Sequence, residues 1–360
     1  MRIAVVIGTR PEIVKMTPVI RELEARKADF FVLHTGQHYS YEMDQAFFER
    51  LELGPARYNL RVGAGTHAGQ TARMLVGIEG VLQGEEPDIV LVQGDTNTVL
   101  AGALAAVKMH IAVGHVEAGL RSYDRAMPEE INRVLADHCS DYLFAPTEGS
   151  KQTLLGEGFP EEIIHVTGNT IVDAVYQHCH LARQKSTAMQ DLGLDPGEYV
   201  LVTLHRQENV DSATRFTSIL EGLDLIAAEH GLPVVYPVHP RSGEMMQRFN
   251  LTPARVRLID PLDFLDFLHL EMNARLVLTD SGGVQEETCI LGVPCVTLRD
   301  NTERPETLEV GANVLAGTSP WAIAECARMM LNSGRNWPNP YGDGHAAKRI
   351  ISVLMEARYE

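Results

Sequence analysis

Two doubly wound α/β domains, each a parallel sheet with helices on both sides, are the fold this sequence predicts. Three observations carry that prediction. Short apolar runs alternate with helical patterns along the whole chain, which is how strands buried on both faces read. With 360 residues, the chain is long for one core and comfortable for two. The residues that follow the apolar runs are unusually polar in both halves, and in such sheets ligands bind beyond the carboxyl ends of the strands.

A first series of strands is expected at Ile3–Ile7, Phe30–His34, Asp88–Gln93, Ile111–Val116, Tyr142–Ala145 and Ile163–Thr167. Ile13, Met16, Ile20 and Leu23 form one stripe of the first helix, which Pro11 helps to start. The polar segment His180–Gly197 reads as the approach to a linker. A second series follows at Val200–Leu204, Val234–Val238, Val256–Ile259, Arg275–Thr279, Cys295–Leu298 and Asn313–Leu315. The domains are expected over residues 1–170 and 171–342. The turn Asn339-Pro-Tyr-Gly-Asp-Gly344 then leads into a terminal helix, Ala346–Arg358.

Composition narrows the class. Hydrophobic residues make up 45% and charged residues 22%, as in a globular protein. A net charge of −17 argues against nucleic acid, which needs a basic surface. Five cysteines without a Cys-x-x-Cys spacing fit free thiols in a reducing compartment. The opening apolar run is too short for a signal peptide and no stretch reaches membrane-spanning length, so a cytoplasmic location without membrane contact is expected. His178, Cys179 and His180 are neighbours that cannot all face one ion from a helix, so no metal is expected.

The segment Arg275-Leu-Val-Leu-Thr-Asp-Ser-Gly-Gly-Val-Gln-Glu-Glu287 is the most informative. A buried strand breaks at Asp280 into Ser281, Gly282 and Gly283, and a helix follows. Glycines let the backbone approach a ligand, and the free N–H groups of a helix start favour an anion. Glu287, about one turn on, suits a pair of sugar hydroxyls. Together they ask for a nucleotide or nucleotide sugar. The first strand leads into Gly8-Thr-Arg-Pro-Glu12, with one glycine where a dinucleotide fingerprint has three. Neither a Gly-Lys-Ser/Thr phosphate loop nor a Gly-x-Ser-x-Gly elbow is present. No bound cofactor is expected.

What remains is acid–base chemistry. Asp95 and Glu117 end strands, Glu129 opens a helix, and His205 ends the first strand of the second half. If the halves face each other across a cleft, such groups can take a proton from one face of a sugar carbon and return it to the other. Each has a structural alternative: Glu129 can complement a helix dipole, Asp95 can cap the next helix, and His205 can pack at the sheet end. Arg10, Lys15 and Arg304 are the candidate cations for a pyrophosphate.

These motifs, with Gln93-Gly-Asp-Thr96, Gly114-His-Val-Glu-Ala-Gly-Leu-Arg121, Pro128-Glu-Glu130, Asn132-Arg133, Thr167-Gly-Asn-Thr170, Tyr236-Pro-Val-His239 and Thr302-Glu-Arg-Pro-Glu306, run end to end. The chain resembles the non-hydrolysing UDP-N-acetylglucosamine 2-epimerases. The resemblance implies two Rossmann-like domains of the GT-B kind, with about residues 343–360 packing back on the first domain. It also implies a homodimer and interconversion of UDP-GlcNAc and UDP-ManNAc, with UDP eliminated to leave a 2-acetamidoglucal and then added back. It puts Arg10, Lys15, Asp95, Glu117 and His205 around the substrate. Leu262 and Phe267 would flank the uracil, Ser281, Gly282 and Gly283 hold the diphosphate, Glu287 the ribose, and Arg304 make a further substrate contact. Asp95, Glu117, Glu129 and His205 are its acid–base candidates. Bacterial members can be activated by a second UDP-GlcNAc; the segment Gln37–Gln45 differs from theirs, which argues against that here. Thr9 and Glu12, where the enzymes for diacetamido sugars tend to carry Ala and Gln, favour the plain GlcNAc substrate. The rivals are a GT-B glycosyltransferase, a hydrolysing epimerase releasing ManNAc, and a UDP-sugar-binding regulator.

Overall fold

The computed structural model describes residues 1–37 and 41–356, and the backbone alone for 41–44. Of the segment bearing on a second UDP-GlcNAc site, His38–Ser40 lie outside the described residues. The chain divides into two compact units, Met1–Tyr176 with Tyr341–Glu360, and Gln177–Pro340.

The first unit runs β1 (Arg2–Ile7), α1 (Arg10–Ala25), β2 (Asp29–His34), α2 (Tyr41–Arg50), β3 (Tyr58–Asn59), α3 (His67–Glu85) and β4 (Ile89–Gln93). It continues through α4 (Asn97–Lys108), β5 (Ala112–Val116), α5 (Pro128–His138), β6 (Tyr142–Ala145), α6 (Glu148–Gly156), β7 (Ile164–Val166) and the start of α7 (Thr170–Lys185). Its sheet has the order β3-β2-β1-β4-β5-β6-β7. Ile3, Val5, Val90, Leu91 and Val92 are buried because helices cover both faces.

The order reverses between β1 and β4, so their carboxyl ends open a crevice between diverging loops. Gly8 closes the turn after β1. A Cβ there would lie 2.1 Å from the hydroxyl oxygens of Thr35 and Thr98, so only glycine fits. Glu12 pins the start of α1 by accepting from the backbone of Gly8 and, at 3.1 Å, of Thr9.

The second unit contains the rest of α7, then α8 (Ala188–Leu192), β8 (Val200–Thr203), α9 (Gln207–Val210), α10 (Ala213–His230), β9 (Val234–Pro237), α11 (Pro240–Phe249) and β10 (Val256–Ile259). After these come α12 (Phe264–Asn273), β11 (Leu276–Thr279), α13 (Gly282–Leu291), β12 (Cys295–Thr297), α14 (Pro305–Glu309), β13 (Asn313–Leu315) and α15 (Pro320–Leu331). The sheet order is β10-β9-β8-β11-β12-β13, with the reversal between β8 and β11. Thr203 pairs with Thr279 in parallel register. That register sets the loop after β8, which carries His205, beside the loop after β11, which starts at Asp280.

The last helix, α16 (Ala346–Glu356), belongs to the first unit and packs on α1. Its first N–H groups have no helical partners and instead meet the Asp173 carboxylate, at 3.1 Å to both Ala346 and Ala347. One expectation is corrected. The chain does not loosen at His180, because α7 continues to Lys185. Its polar residues are the solvent face of a helix whose other face buries His178, Cys179, Leu181 and Ala182. Among the described residues, no helix is long and apolar enough to cross a membrane.

Candidate active site

In the first unit, Glu117 follows β5 with a φ of 69° and is 6% exposed. A buried non-glycine residue in the left-handed region is strained, and such strain persists where the surroundings over-determine it. Here they do. Lys15 Nζ lies 2.6 Å from Oε1, Asn169 Nδ2 donates to Oε1 at 2.9 Å, and Gln93 Nε2 donates to Oε2. The sequence marks Lys15 as a cation for pyrophosphate; the structure pairs it with Glu117, as a buried ammonium requires a counter-charge.

The loop that carries Glu117 is held from beneath. His115 is fully buried, with Nδ1 2.6 Å from Asp137 and Nε2 2.8 Å from the Gly94 carbonyl. Both ring nitrogens face acceptors, so both carry protons. Burial works against that charge, but Asp137 and the Gly94 carbonyl win and raise the imidazole above its ordinary range. Asp137 also accepts from the Gly119 N–H at 3.2 Å and lies 2.7 Å from Arg121. Gly119 has a φ of 80°, and a Cβ there would lie 2.5 Å from the Ser150 carbonyl. The Gly-His-Val-Glu-Ala-Gly-Leu-Arg segment is therefore one braced unit.

Asp95 follows β4. Its carboxylate pairs with Arg133, and its carbonyl accepts from Asn132 at 2.9 Å. Its side chain remains 34% exposed. Capping α4 falls to Thr96, whose hydroxyl accepts from Thr98 at 3.2 Å and Val99 at 3.5 Å, so that alternative for Asp95 is set aside. Glu129 is half-buried in the first turn of α5, behind Pro128. Its neighbour Glu130 instead ties down the preceding loop, accepting from Ser122 at 2.9 Å and Tyr123 at 3.0 Å. Arg10 stands with its guanidinium 5.3 Å from the Phe47 ring centre. Glu12 also accepts from the Thr96 hydroxyl, and burial pushes its carboxyl up to about 7.

In the second unit the sequence flags His205 and misses its partner. Asp280 is fully buried, and its carboxylate sits 3.2 Å from His205 Nδ1. It also accepts from the N–H of His205 at 3.1 Å, of Arg206 at 3.0 Å, and from Asn209 at 3.2 Å. Burial opposes the charge on Asp280, yet the bond from His205 and these donors hold its carboxyl below the usual range. With Nδ1–H committed to Asp280, Nε2 is the nitrogen left for chemistry. His239 stands with its ring centre 5.7 Å from that of His205. Burial and the His205 charge lower its affinity for a proton.

Ser281 caps α13, accepting from Val284 at 3.5 Å. Added Cβ atoms at Gly282 and Gly283 would meet nothing closer than 3.8 and 3.9 Å, so these glycines leave open space at a helix start, where an anion is favoured. Glu287 is half-buried in the second turn of α13. Leu262 and Phe267 pack, partly buried, against the same core cluster as Val284. Arg304 precedes α14, and its Nε lies 2.6 Å from Glu286. Arg299, the other cation of that loop, is spent on Glu303 at 2.7 Å. Although burial resists it, Arg299 holds the Glu303 carboxyl down to about 2. Among the described residues, no group of histidine, cysteine and acidic side chains could hold a metal ion.

A sequence profile of the family described as UDP-N-acetylglucosamine 2-epimerase matches residues 21–355. The chain is 52% identical over 366 residues to the UDP-N-acetylglucosamine 2-epimerase of Methanocaldococcus jannaschii, with 100% of both chains covered. It is 42% identical over 358 residues to the UDP-2,3-diacetamido-2,3-dideoxy-D-glucuronate 2-epimerase of Pseudomonas aeruginosa, covering 99% of this chain and 100% of that one. Its fold is similar to that of the M. jannaschii UDP-GlcNAc 2-epimerase crystallised in complex with UDP-GlcNAc and UDP. The TM-score is 0.90 at 52% identity, with 99% of this chain and 100% of that one covered.

Proposed function

The chain belongs to the UDP-N-acetylglucosamine 2-epimerase family, and from that premise we propose that it interconverts UDP-GlcNAc and UDP-ManNAc by eliminating and re-adding UDP. A base removes the C2 proton, the C–H electron pair forms the C1=C2 double bond, and the C1–O bond breaks with its electrons leaving on UDP. The reverse addition delivers a proton to the other face of C2 while a β-phosphate oxygen attacks C1. No net redox change occurs, so no cofactor is called for.

The acid–base set is Asp95, Glu117, Glu129 and His205, more groups than the two an inversion needs. Glu117 is supported in that role by its strained backbone and its three converging donors. His205 is supported by Asp280, which fixes its tautomer and leaves Nε2 available. The helix start at Ser281, Gly282 and Gly283 takes the diphosphate, and Glu287 the ribose hydroxyls. Leu262 and Phe267 flank the uracil, and Arg10, Lys15 and Arg304 contact the substrate. Thr9 and Glu12 favour UDP-GlcNAc over diacetamido sugars. The five free cysteines support action in a reducing cytoplasm, and family resemblance supports a homodimer.

The end-to-end likeness to one enzyme, in sequence and in fold, is the observation that carries this function. Incubation with UDP-GlcNAc in deuterated water, without an acceptor, tests it. Deuterium at C2 of both UDP-sugars is expected. Free ManNAc would instead mean hydrolysis, and an unchanged sugar would mean a transferase or a sensor.

A further inference from the structure

A second acidic residue stands behind Glu287. Glu271 lies on α12 and is completely buried. Among the described residues, neither of its carboxyl oxygens meets a hydrogen-bond donor group; the group within its reach is the carboxyl of Glu287 on the neighbouring α13. Two carboxylates are both acceptors, so they bond only when one of them carries a proton.

The surroundings decide which one. Burial first, and the Glu287 charge second, raise the proton affinity of Glu271 well above the usual carboxylate range. Ionisable groups that feel Glu271 include Cys179 on α7, Tyr199 just before β8 and Cys295 on β12; the buried His178 of α7 also packs against α12, its ring 5.3 Å from that of Phe264. Burial pushes both thiols up to about 12 and raises the phenol as well, so all three are neutral at physiological pH. Glu287 is only half-buried, so water can solvate a charge there at less cost than at the fully buried Glu271.

We propose that Glu271 is a positioning residue, whose protonated carboxyl donates to Glu287 and fixes that carboxylate toward the 2′- and 3′-hydroxyls of a ribose. A glutamate has three side-chain torsions to immobilise before it can receive two hydroxyls at once. A donor from behind removes that cost in advance, as a preorganised site requires. A carboxylic acid kept neutral in a dry site so that it can donate is a known device. The proposal rests on the assignment of Glu287 to the ribose.

Calorimetric binding of UDP and 2′-deoxy-UDP to the full-length protein, and to Glu271→Gln and Glu271→Leu, tests it at pH 7. The wild type should prefer UDP by about tenfold or more, the worth of hydrogen bonds to a charged group. Glutamine keeps an N–H donor and should hold that preference within about threefold, a small part of one such bond. Leucine should bring the preference close to unity while leaving 2′-deoxy-UDP affinity nearly unchanged. A wild-type preference surviving in the leucine variant overturns the proposal and leaves the ribose assignment standing. Equal binding of both ligands by the wild type removes the ribose assignment itself. If the leucine variant does not fold, an alkaline titration decides. The wild-type preference should fall as the shared proton leaves, and that of Glu271→Gln should not. The same fall in both overturns the proposal, since titration of the uracil cancels in the ratio.

Discussion

Replacing Glu117 with glutamine should separate catalysis from nucleotide binding. In the native chain both Glu117 oxygens are occupied, Oε1 by Lys15 at 2.6 Å and Asn169 at 2.9 Å, and Oε2 by Gln93. The Lys15 and Glu117 side chains are 11% and 4% exposed. A glutamine oxygen can still accept from Lys15 and Asn169, but its amide then faces the Gln93 amide, which has to turn over. Breaking a buried ion pair by removing one charge costs about 3–5 kcal/mol. The retained acceptor places Glu117→Gln near the lower end, about 3 kcal/mol. For a unit of this size that lowers Tm by roughly 6–12 °C. Turnover of UDP-GlcNAc should fall at least about 100-fold, the usual worth of a positioned acid or base. UDP affinity should change less than about threefold, because the diphosphate and ribose contacts are assigned to α13. Calorimetry for Tm and UDP binding, with a steady-state assay, reads all three. Adding Lys15→Met should recover part of the lost Tm without recovering turnover, since it removes the orphaned ammonium. Near-wild-type turnover in Glu117→Gln would remove Glu117 from the acid–base set. An unchanged Tm would refute the buried-pair reasoning.

Asp280→Asn should lower turnover by roughly 100-fold or more, with UDP affinity within about threefold, because His205 loses the acceptor that sets its tautomer; an unshifted pH–rate profile at wild-type rate would contradict this. Gly283→Ala should leave Tm level or slightly higher, since the new methyl meets no protein atom within 3.9 Å and alanine favours helix. UDP affinity should nevertheless drop about tenfold or more, as a diphosphate loses close access to the helix start; unimpaired binding would move the anion elsewhere. Glu12 has a folded-state pKa of about 7, raised by burial from an ordinary 4.5. Its contribution to stability is therefore fully present below pH 4.5 and lost as pH rises through 7. The stability of the wild type relative to Glu12→Gln should decline by about 3 kcal/mol across that window. Urea unfolding at pH 4.5 and pH 8 measures it, and a constant difference would show that Glu12 does not keep its proton.

The sheets were legible because strands buried on both faces leave continuous apolar runs, as at Ile89–Gln93. Tyr58–Asn59 escaped, since two residues show no periodicity. The polar tract from His180 misled because composition averages over a helix with one wet and one buried face. Which polar residues crowd the strand ends could be read from the motifs. Which of them bond to each other could not. Lys15 and Glu117 are 102 residues apart, and Asp280 reaches His205 only because β8 and β11 pair across the topological reversal. Glu271 sits in the apolar helix pattern of α12, where a glutamate ordinarily faces water, and no local signal distinguishes it from a surface residue.

Deuterium entry at C2 is compatible with any route through a C2 carbanion; rupture of the C1–O bond is what defines the elimination. It is tested most directly with UDP-GlcNAc carrying ¹⁸O in the bridge between C1 and the β-phosphorus, recovered after partial turnover and examined by ³¹P NMR. If UDP departs and returns, the bridging label becomes one of three terminal β-phosphate oxygens, and re-addition leaves part of it in non-bridging positions of both UDP-sugars. Label that stays entirely in the bridge while C2 exchanges its hydrogen would mean that UDP never leaves.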